Sequence, residues 1–294
     1  MFAIVTDSSA NLDYKALSLE NITVAPFSYN INGEEHSCPP VNGFDGTAYY
    51  DAMRNGAVVV TSQVTPHVFK EKMTPLLQKG LDVLFVGMSS GISGSYSSAE
   101  AAAKELREQY PERNIRLVDT LSASLGEGLL VLRAVELQRQ GLDINGAADT
   151  LLAERYAMDQ VFTVGDIRYL GRTGRISNVK AFIGSVLDIR PILKGDDEGK
   201  IVCCAKVRGR RASIQALADR YDQLVEEPEQ QCIGIAHCDC YPDVQTLITL
   251  LNRNHPPREI MTVMYEPVTG AHVGPGALAL FFFGNPASRE LAKS

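Results

Sequence analysis

The sequence predicts an α/β protein of two domains: an N-terminal, mostly parallel α/β domain over residues 1–158 and a C-terminal α+β domain with an antiparallel sheet over residues 159–294. In the first half, short apolar runs typical of buried strands alternate with longer segments typical of helices, an order that favours a parallel sheet covered by helices. In the second half, extended segments follow one another, and Gly195-Asp196-Asp197-Glu198-Gly199 has the composition of a hairpin turn. A chain of 294 residues is long enough to bury two cores.

The predicted elements of the first half leave polar residues at the carboxyl ends of strands. Strands are expected at 2–7, 57–62, 82–89 and 115–119, and helices at 46–55, 66–79, 97–109, 125–140 and 144–157. The polar ends are Thr6-Asp7-Ser8-Ser9, Thr61-Ser62-Gln63, Ser89 to Ser95 and Val118-Asp119-Thr120. Because ligands of open α/β sheets bind beyond the carboxyl ends of the strands, these ends predict a polar pocket floor.

The predicted elements of the second half mix strands with helices. Extended segments are expected at 160–165, 189–194, 200–207, 231–237, 259–265 and 277–283, and helices at 178–187, 211–225 and 242–253. Consecutive strands joined by tight turns pair antiparallel, so this half predicts an α+β arrangement.

Composition argues against several classes of function. A net charge of −7 gives the chain no electrostatic reason to bind nucleic acid or an anionic membrane. No apolar run approaches the ~20 residues that cross a bilayer, so no transmembrane segment is expected. The six cysteines have no repeated spacing and complete no metal site, which favours a reduced, cytoplasmic protein that binds no metal. There is no Walker motif and no G-x-G-x-x-G after the first strand, so no nucleotide cofactor is expected.

The serine-rich stretch from Ser89 to Ser98 is the strongest candidate for a ligand site. It lies between an apolar strand and a helix, where free N–H groups of the helix start and serine hydroxyls together favour an anion. The stretch has no Lys or Arg, so it suits a carboxylate better than a triphosphate. Ser93, beside Gly94, is the candidate contact, and Thr61 with Ser62 offers hydroxyls at another strand end. Helix capping is the competing explanation for the same serines.

Two further segments of the second half contain candidate residues. His272 lies among glycines, in a segment expected to be a loop that holds the side chain in a defined place, although a lone histidine is often structural. Arg172 and Arg175 form a local basic loop on an acidic chain, which is either a solvated loop or a docking site for an acidic surface. Arg208 follows an alternating strand, which directs it to one face.

Ser93 and His272 also leave a catalytic hypothesis open. A serine with a histidine base is the minimal pair for a hydrolase or acyltransferase. The sequence has no G-x-S-x-G motif, the usual strand-to-helix setting of such a serine.

At these positions the chain resembles the DegV family, the fatty-acid-binding proteins that serve a bacterial fatty acid kinase. The resemblance covers nearly the whole chain. The blocks that carry it are Thr6 to Leu12, Thr61-Ser62-Gln63, Ser89 to Tyr96, Tyr169 to Ser177 and Gly270 to Gly276. Two departures are Val64 and Thr65 before Pro66, where the proline often follows directly, and Thr269, where an aliphatic residue is usual.

The resemblance implies a carrier that is not itself an enzyme, with one long-chain fatty acid in a slit between its two domains. It implies that Thr61 and Ser93 hold the carboxylate, with His272 and Arg208 nearby and Ser62 and Gly94 in the supporting loops. Arg172 and Arg175 would dock the kinase, a separate chain that supplies ATP and forms the acyl phosphate. No catalytic residue and no cofactor other than the fatty acid ligand is implied.

Overall fold

The computed structural model describes residues 2–39, 43–176, 188–285 and 289. The chain folds into two compact units, Met1–Phe44 with Val59–Arg155, and Asp45–Val58 with Tyr156–Ser294. The division expected between residues 158 and 159 stays a prediction. The compact units differ from that division in two respects: the boundary lies between Arg155 and Tyr156, and Asp45–Val58 belongs to the second unit.

Strands and helices alternate along most of the chain up to residue 155. The strands are β1 (Phe2–Asp7), β2 (Thr23–Ala25), β3 (Ser28–Ile31), β4 (Glu34–Ser37), β5 (Val59–Ser62), β6 (Asp82–Gly87) and β7 (Ile115–Asp119). The helices are α1 (Tyr14–Leu19), α2 (Gly46–Arg54), α3 (Pro66–Gln78), α4 (Ser95–Gln109), α5 (Leu125–Arg139) and α6 (Ile144–Glu154). Residues 8–10 form a single 3₁₀ turn between β1 and α1.

Two sheets form the first unit. The larger sheet is parallel, with strand order β2-β1-β6-β7, which confirms the parallel α/β prediction. The smaller sheet is antiparallel, with order β4-β3-β5. The expectation that the strand carrying Thr61 joins the parallel sheet is therefore wrong. A hairpin at Asn32-Gly33, where both residues have positive φ (55° and 90°), folds β4 onto one edge of β3, and β5 pairs antiparallel with the other edge.

Polar side chains start several helices by accepting a backbone N–H of the first turn. Asp45 accepts from Ala48 before α2, and Asp143 accepts from Gly146 before α6. Thr65 does the same before α3, whose first residue is Pro66. Such caps satisfy donors that the helix itself leaves free, so they fix where each helix begins.

The second unit is built around one mixed sheet. Its strands are β8 (Met158–Thr163), β9 (Ile189–Gly195), β10 (Ile201–Arg208), β11 (Cys232–His237), β12 (Glu259–Met264) and β13 (Leu278–Phe283), and its later helices are α7 (Arg168–Thr173), α8 (Arg210–Leu224), α9 (Tyr241–Asn254) and α10 (Pro267–Val273). The order is β10-β9-β8-β13-β11-β12, and every pair is antiparallel except β11 with β12. The antiparallel prediction is thus confirmed for most of the sheet.

Two segments expected to be loops are helices in this unit. Arg172 lies in α7, and His272 lies in the last turn of α10. Glu266 caps α10 by accepting the N–H groups of Val268 and Thr269, which outweighs the helix-weakening glycine inside it. The helix expected at 178–187 lies outside the described residues.

Candidate functional site

The candidate carboxylate loop connects β6 to α4 and presents Ser93 just before the helix. The Ser93 Oγ accepts the Ser95 N–H at 3.2 Å, and the two hydroxyls are hydrogen-bonded at the same distance. The Ser93 N–H donates to the Ser89 carbonyl, also at 3.2 Å. Gly94 is the residue before α4 and supplies no side-chain cap, so the 15-residue helix begins with backbone N–H groups beside the half-buried Ser93.

Thr61 lies on one face of the small antiparallel sheet. It pairs with Tyr29 of β3, and Tyr29 pairs in turn with His36 of β4, whose ring stacks on it at a centroid distance of 5.2 Å. Because paired residues share a face, these three side chains form one row. Ser62 is the next residue along β5, so its exposed side chain points to the opposite face from Thr61.

The end of β5 and the start of α4 are joined directly. The Gln63 amide donates to the Ser98 hydroxyl at 3.0 Å, and the Val64 N–H donates to the Ser95 hydroxyl at 3.1 Å. A Cβ at Gly94 would lie 2.2 Å from the Gln63 Oε1, so a side chain there would displace the Gln63 amide. The structure therefore brings the Thr61 and Ser93 segments together within the first unit.

The carboxylate of Asp119, at the end of β7, anchors the beginning of the loop that carries Ser93. It accepts the Ser90 N–H at 3.2 Å and the Ser90 hydroxyl at 2.6 Å. It also accepts the Leu121 N–H at 3.1 Å, while the Ser89 N–H donates to the Ser122 carbonyl at 2.8 Å. The loop that carries Ser93 is thus held from the neighbouring strand end as well as from its own helix.

A buried pair of carboxyl groups lies behind the loop. Asp7 ends β1, and Glu127 lies in the first turn of α5; the Ser9 hydroxyl is hydrogen-bonded to both. Burial raises the pKa of Glu127 well above its usual value, and the charge of Asp7 raises it further. Burial likewise raises the pKa of Asp7, against hydrogen bonds from Ser9 and Met88 that lower it. Sequence reasoning identified the strand end but missed Glu127, whose signal was an acid within the apolar first half of α5.

In the second unit, His272 lies close enough to Arg175 to feel its charge. Burial, and then the Arg175 guanidinium, lowers the pKa of His272 to about 4, so the imidazole is neutral at neutral pH. Burial also lowers the pKa of Arg175, which is half-buried and donates to the Thr173 carbonyl at 2.5 Å. The structure thus brings together two residues that sequence analysis had assigned to different roles.

The other two arginines of the sequence prediction are exposed. Arg172 lies 4.6 Å above the ring of Tyr169, a cation–π arrangement within α7. Arg208 ends β10 opposite Ile189 of β9. Its expected position near a ligand carboxylate stays a prediction, as do the ligand contacts of Thr61, Ser93 and His272.

Two other kinds of site are absent from the described ranges. None of the helices there combines the length and the apolar character needed to cross a membrane. In the same part of the chain, no group of three or more histidine, cysteine or acidic residues is arranged to hold a metal ion. The cysteines Cys38, Cys203, Cys204, Cys232, Cys238 and Cys240 are free thiols.

Comparison with known proteins identifies the family. The model of the DegV family of uncharacterised proteins matches residues 1–285. A DegV domain-containing protein of Clostridium perfringens is 34% identical over 284 residues, which cover 97% of this chain and 98% of that protein. The chain belongs to the DegV family.

Solved structures of similar proteins have the same fold and are described as fatty-acid-binding. A DegV family protein of Thermus thermophilus, described by its fatty acid binding, has a TM-score of 0.86 and 27% identity, covering 97% of this chain and 99% of that one. DegV of Bacillus subtilis, described as a fatty acid binding protein, has a TM-score of 0.81 and 26% identity over the same shares. The predicted two-part α/β architecture is therefore the architecture of proteins similar to this chain.

Proposed function

We propose that this protein binds a long-chain fatty acid and presents its carboxylate to a separate fatty acid kinase. The observation that carries the proposal is the join between β5 and α4, which fixes two hydroxyl-bearing segments side by side through Gln63 and Val64. The similar fatty-acid-binding proteins, which extend over nearly the whole chain, support the choice of ligand.

The hydroxyl chemistry suits a carboxylate that must be handed on. The Ser93 Oγ accepts the Ser95 N–H and donates its proton to the Ser95 Oγ, and a bound carboxylate oxygen would take the place of the Ser95 Oγ as the acceptor of that proton. Thr61 would supply a second neutral donor, and the N–H groups at the start of α4 favour negative charge. A few neutral donors orient the acid without the strong ion pair that would resist its transfer to a kinase.

Affinity would come mainly from the acyl tail. Burying one methylene is worth roughly 0.8 kcal/mol, so about fourteen methylenes gain on the order of 11 kcal/mol before costs. Ordering the tail and losing its free motion cancel much of that gain. The tail thus supplies binding energy and the hydroxyls supply orientation. The position of the tail in a slit stays a prediction of the family resemblance, and the cytoplasmic location stays a prediction of the cysteine pattern.

Replacing the two hydroxyl residues tests the carboxylate contacts. We expect Ser93→Ala and Thr61→Ala to weaken fatty acid binding by about tenfold each, since one hydrogen bond to a charged group is worth roughly 1.5 kcal/mol. Native mass spectrometry of the purified protein reports occupancy, and titration with a fluorescent fatty acid reports Kd. Ser97→Ala is the matched control, because Ser97 is an exposed serine in the first turn of α4, close in sequence to Ser93. Unchanged occupancy in both variants would contradict the assigned contacts.

The state of the released fatty acid and labelling by a fluorophosphonate distinguish the carrier from the hydrolase hypothesis. A carrier releases its fatty acid intact and is not labelled by a fluorophosphonate. A hydrolase or acyltransferase that uses Ser93 with His272 would be labelled at Ser93, and the label would disappear in Ser93→Ala.

Exposed Arg172 would contact the kinase. We expect Arg172→Glu to keep fatty acid binding and to lower kinase-dependent formation of the acyl phosphate at least tenfold, because the new charge repels an acidic partner surface. Phosphate transfer from labelled ATP measures the rate. Arg253→Glu, on the exposed end of α9, makes the same charge change elsewhere in the unit. Equal rates in wild type and Arg172→Glu would remove the docking proposal.

A further inference from the structure

We propose that Glu127 is a positioning residue that holds a proton at neutral pH and, through Ser9 and Asp7, fixes the loop that carries Ser93. The effect on ligand binding rests on the proposed function, whereas the protonation and the fixing of the loop do not. Nothing in the family resemblance assigned a role to this group.

A count of hydrogens indicates the proton. The Ser9 hydroxyl has one hydrogen, yet its oxygen lies within hydrogen-bond distance of Asp7 and of Glu127. Two ionised carboxylates cannot both be satisfied by one hydrogen. The two carboxyls are also hydrogen-bonded to each other, which two ionised carboxylates cannot be, so one of them must carry a proton.

The remaining contacts decide which carboxyl is protonated. Asp7 accepts the Ser9 N–H at 3.0 Å and the Met88 N–H at 3.1 Å in addition to the Ser9 hydroxyl at 2.5 Å. Backbone donors of this kind stabilise an ionised carboxylate. Glu127 accepts the Thr6 hydroxyl at 2.9 Å through its other oxygen, a bond that a neutral carboxyl also accepts. The arrangement is therefore an ionised Asp7 and a neutral Glu127, whose proton lies within reach of both Ser9 and Asp7.

The residues of this arrangement are buried, which raises the cost of a second negative charge there. Thr6, Ser9 and Glu127 have no exposed surface, and Asp7 is 1% exposed. An ionised Glu127 at this position would add a second unpaired negative charge where water cannot reach it. The direction of its pKa, well above the usual value, agrees with the geometry.

The chain of contacts reaches the candidate site in two steps. Asp7 holds the Met88 N–H, and the next residue, Ser89, accepts the Ser93 N–H with its carbonyl at 3.2 Å. Displacing Asp7 would therefore free the first residue of the loop. Glu127 keeps Asp7 in place because its proton orients the Ser9 hydroxyl toward Asp7.

The pH dependence of stability tests the protonation. Glu127→Gln keeps an acceptor for Thr6 and a donor for Ser9 but does not titrate. Wild type must take up a proton on folding above the usual glutamate pKa of 4.5, so its stability falls as pH rises toward the folded value. We expect the Tm of Glu127→Gln minus that of wild type to grow by roughly 3 °C per pH unit between about pH 5.5 and 7.5.

Among the elements packed against α5, β1 supplies the charged group that acts on Glu127, which is Asp7. Wild type and Glu127→Gln both contain Asp7. Glu136→Gln, an exposed glutamate of the same helix, is the control, and its Tm difference should stay constant over this range. A Glu127→Gln variant that is less stable than wild type at pH 7.5, with a deficit that shrinks toward acid, would overturn the protonation.

Hydrogen–deuterium exchange and binding test the positioning. We expect Asp7→Asn and Glu127→Ala to speed exchange in the peptide covering residues 88–95 at least tenfold and to weaken fluorescent fatty acid binding, whereas Glu127→Gln leaves both within twofold. Unchanged exchange in Asp7→Asn would refute the positioning role whether or not the protein binds fatty acid. If wild type binds none, the proposed function fails, while the exchange and Tm results still decide this inference.

Discussion

The two units position their candidate residues by different means. In the first unit, Ser93 is fixed by a dense set of hydrogen bonds that ends in two buried carboxyl groups. In the second unit, His272 lies on a seven-residue helix whose start is fixed by hydrogen bonds and whose glycines are closely packed, with Tyr50 against Gly270 and Tyr169 against Gly274. In the first unit, hydrogen bonds fix the Ser93 hydroxyl, whose charge does not change with pH. In the second unit, burial determines the protonation of the His272 imidazole.

Two glycines show the same contrast and make it testable. A Cβ at Gly128 of α5 would lie 2.3 Å from the Ala10 carbonyl oxygen, which belongs to the backbone. A Cβ at Gly270 of α10 would lie 2.0 Å from the Tyr50 hydroxyl oxygen, which is the end of a side chain. A backbone turn has little freedom to move, whereas a tyrosine can shift if it gives up its hydrogen bond to the Tyr265 carbonyl.

The largest effect is expected at Gly128. Alanine in a helix gains about 1 kcal/mol over glycine, which is too little to offset this contact. We expect Gly128→Ala to lower the free energy of unfolding by more than about 3 kcal/mol and Gly270→Ala by about 2 kcal/mol. Urea unfolding measures both.

Two further variants check the reason. Gly146→Ala of α6, where the nearest atom to a new Cβ is 3.4 Å away, should be neutral or slightly stabilising. Tyr50→Phe combined with Gly270→Ala should recover part of the loss at Gly270, because the clashing oxygen is gone. No recovery, or a Gly128→Ala variant as stable as Gly146→Ala, would show that the contrast between the units is drawn wrongly.

The sequence predicted the parts of the fold that depend on local pattern. The apolar run Val83 to Val86 is a fully buried parallel strand, and Gly195 to Gly199 connects an antiparallel hairpin. The Asn32-Gly33 hairpin was equally visible in the sequence, because this pair is the strongest short signal for such a turn. That signal predicts only the pairing of β3 with β4, and the pairing of β5, the strand of Thr61, with the other edge of β3 is a tertiary contact that it does not indicate.

Other features depend on tertiary context that no pattern encodes. Segment Asp45–Val58 belongs to the second unit because Tyr49 and Tyr50 donate to the carbonyls of Pro267 and Tyr265, more than 200 residues away. Glu127 is buried although glutamate is normally exposed, since its partners come from β1 and residue 9. The glycines near His272 suggested a loop, whereas the Glu266 cap and Pro267 start a helix.

A smaller effect is expected at His272, where packing sets the charge. Its pKa is about 4 when folded and 6.5 when unfolded, so the unfolded chain binds more protons between these values. Stability is therefore lost as pH falls below 6.5, by about 2 kcal/mol at pH 5. We expect His272→Gln to lack this share of the acid sensitivity in urea unfolding at pH 7, 6 and 5.

His67→Gln is the control, because the side chain of His67 is 78% exposed. It should follow the wild-type pH dependence, and a His272→Gln variant that also follows it would mean that folding does not lower the pKa of His272. Saturating fatty acid sharpens the comparison between the units. A carboxylate bound beside His272 would raise its pKa and reduce the acid sensitivity, whereas one bound to the Ser93 loop alone would leave the sensitivity of His272 unchanged, because neutral hydroxyls do not titrate in this range.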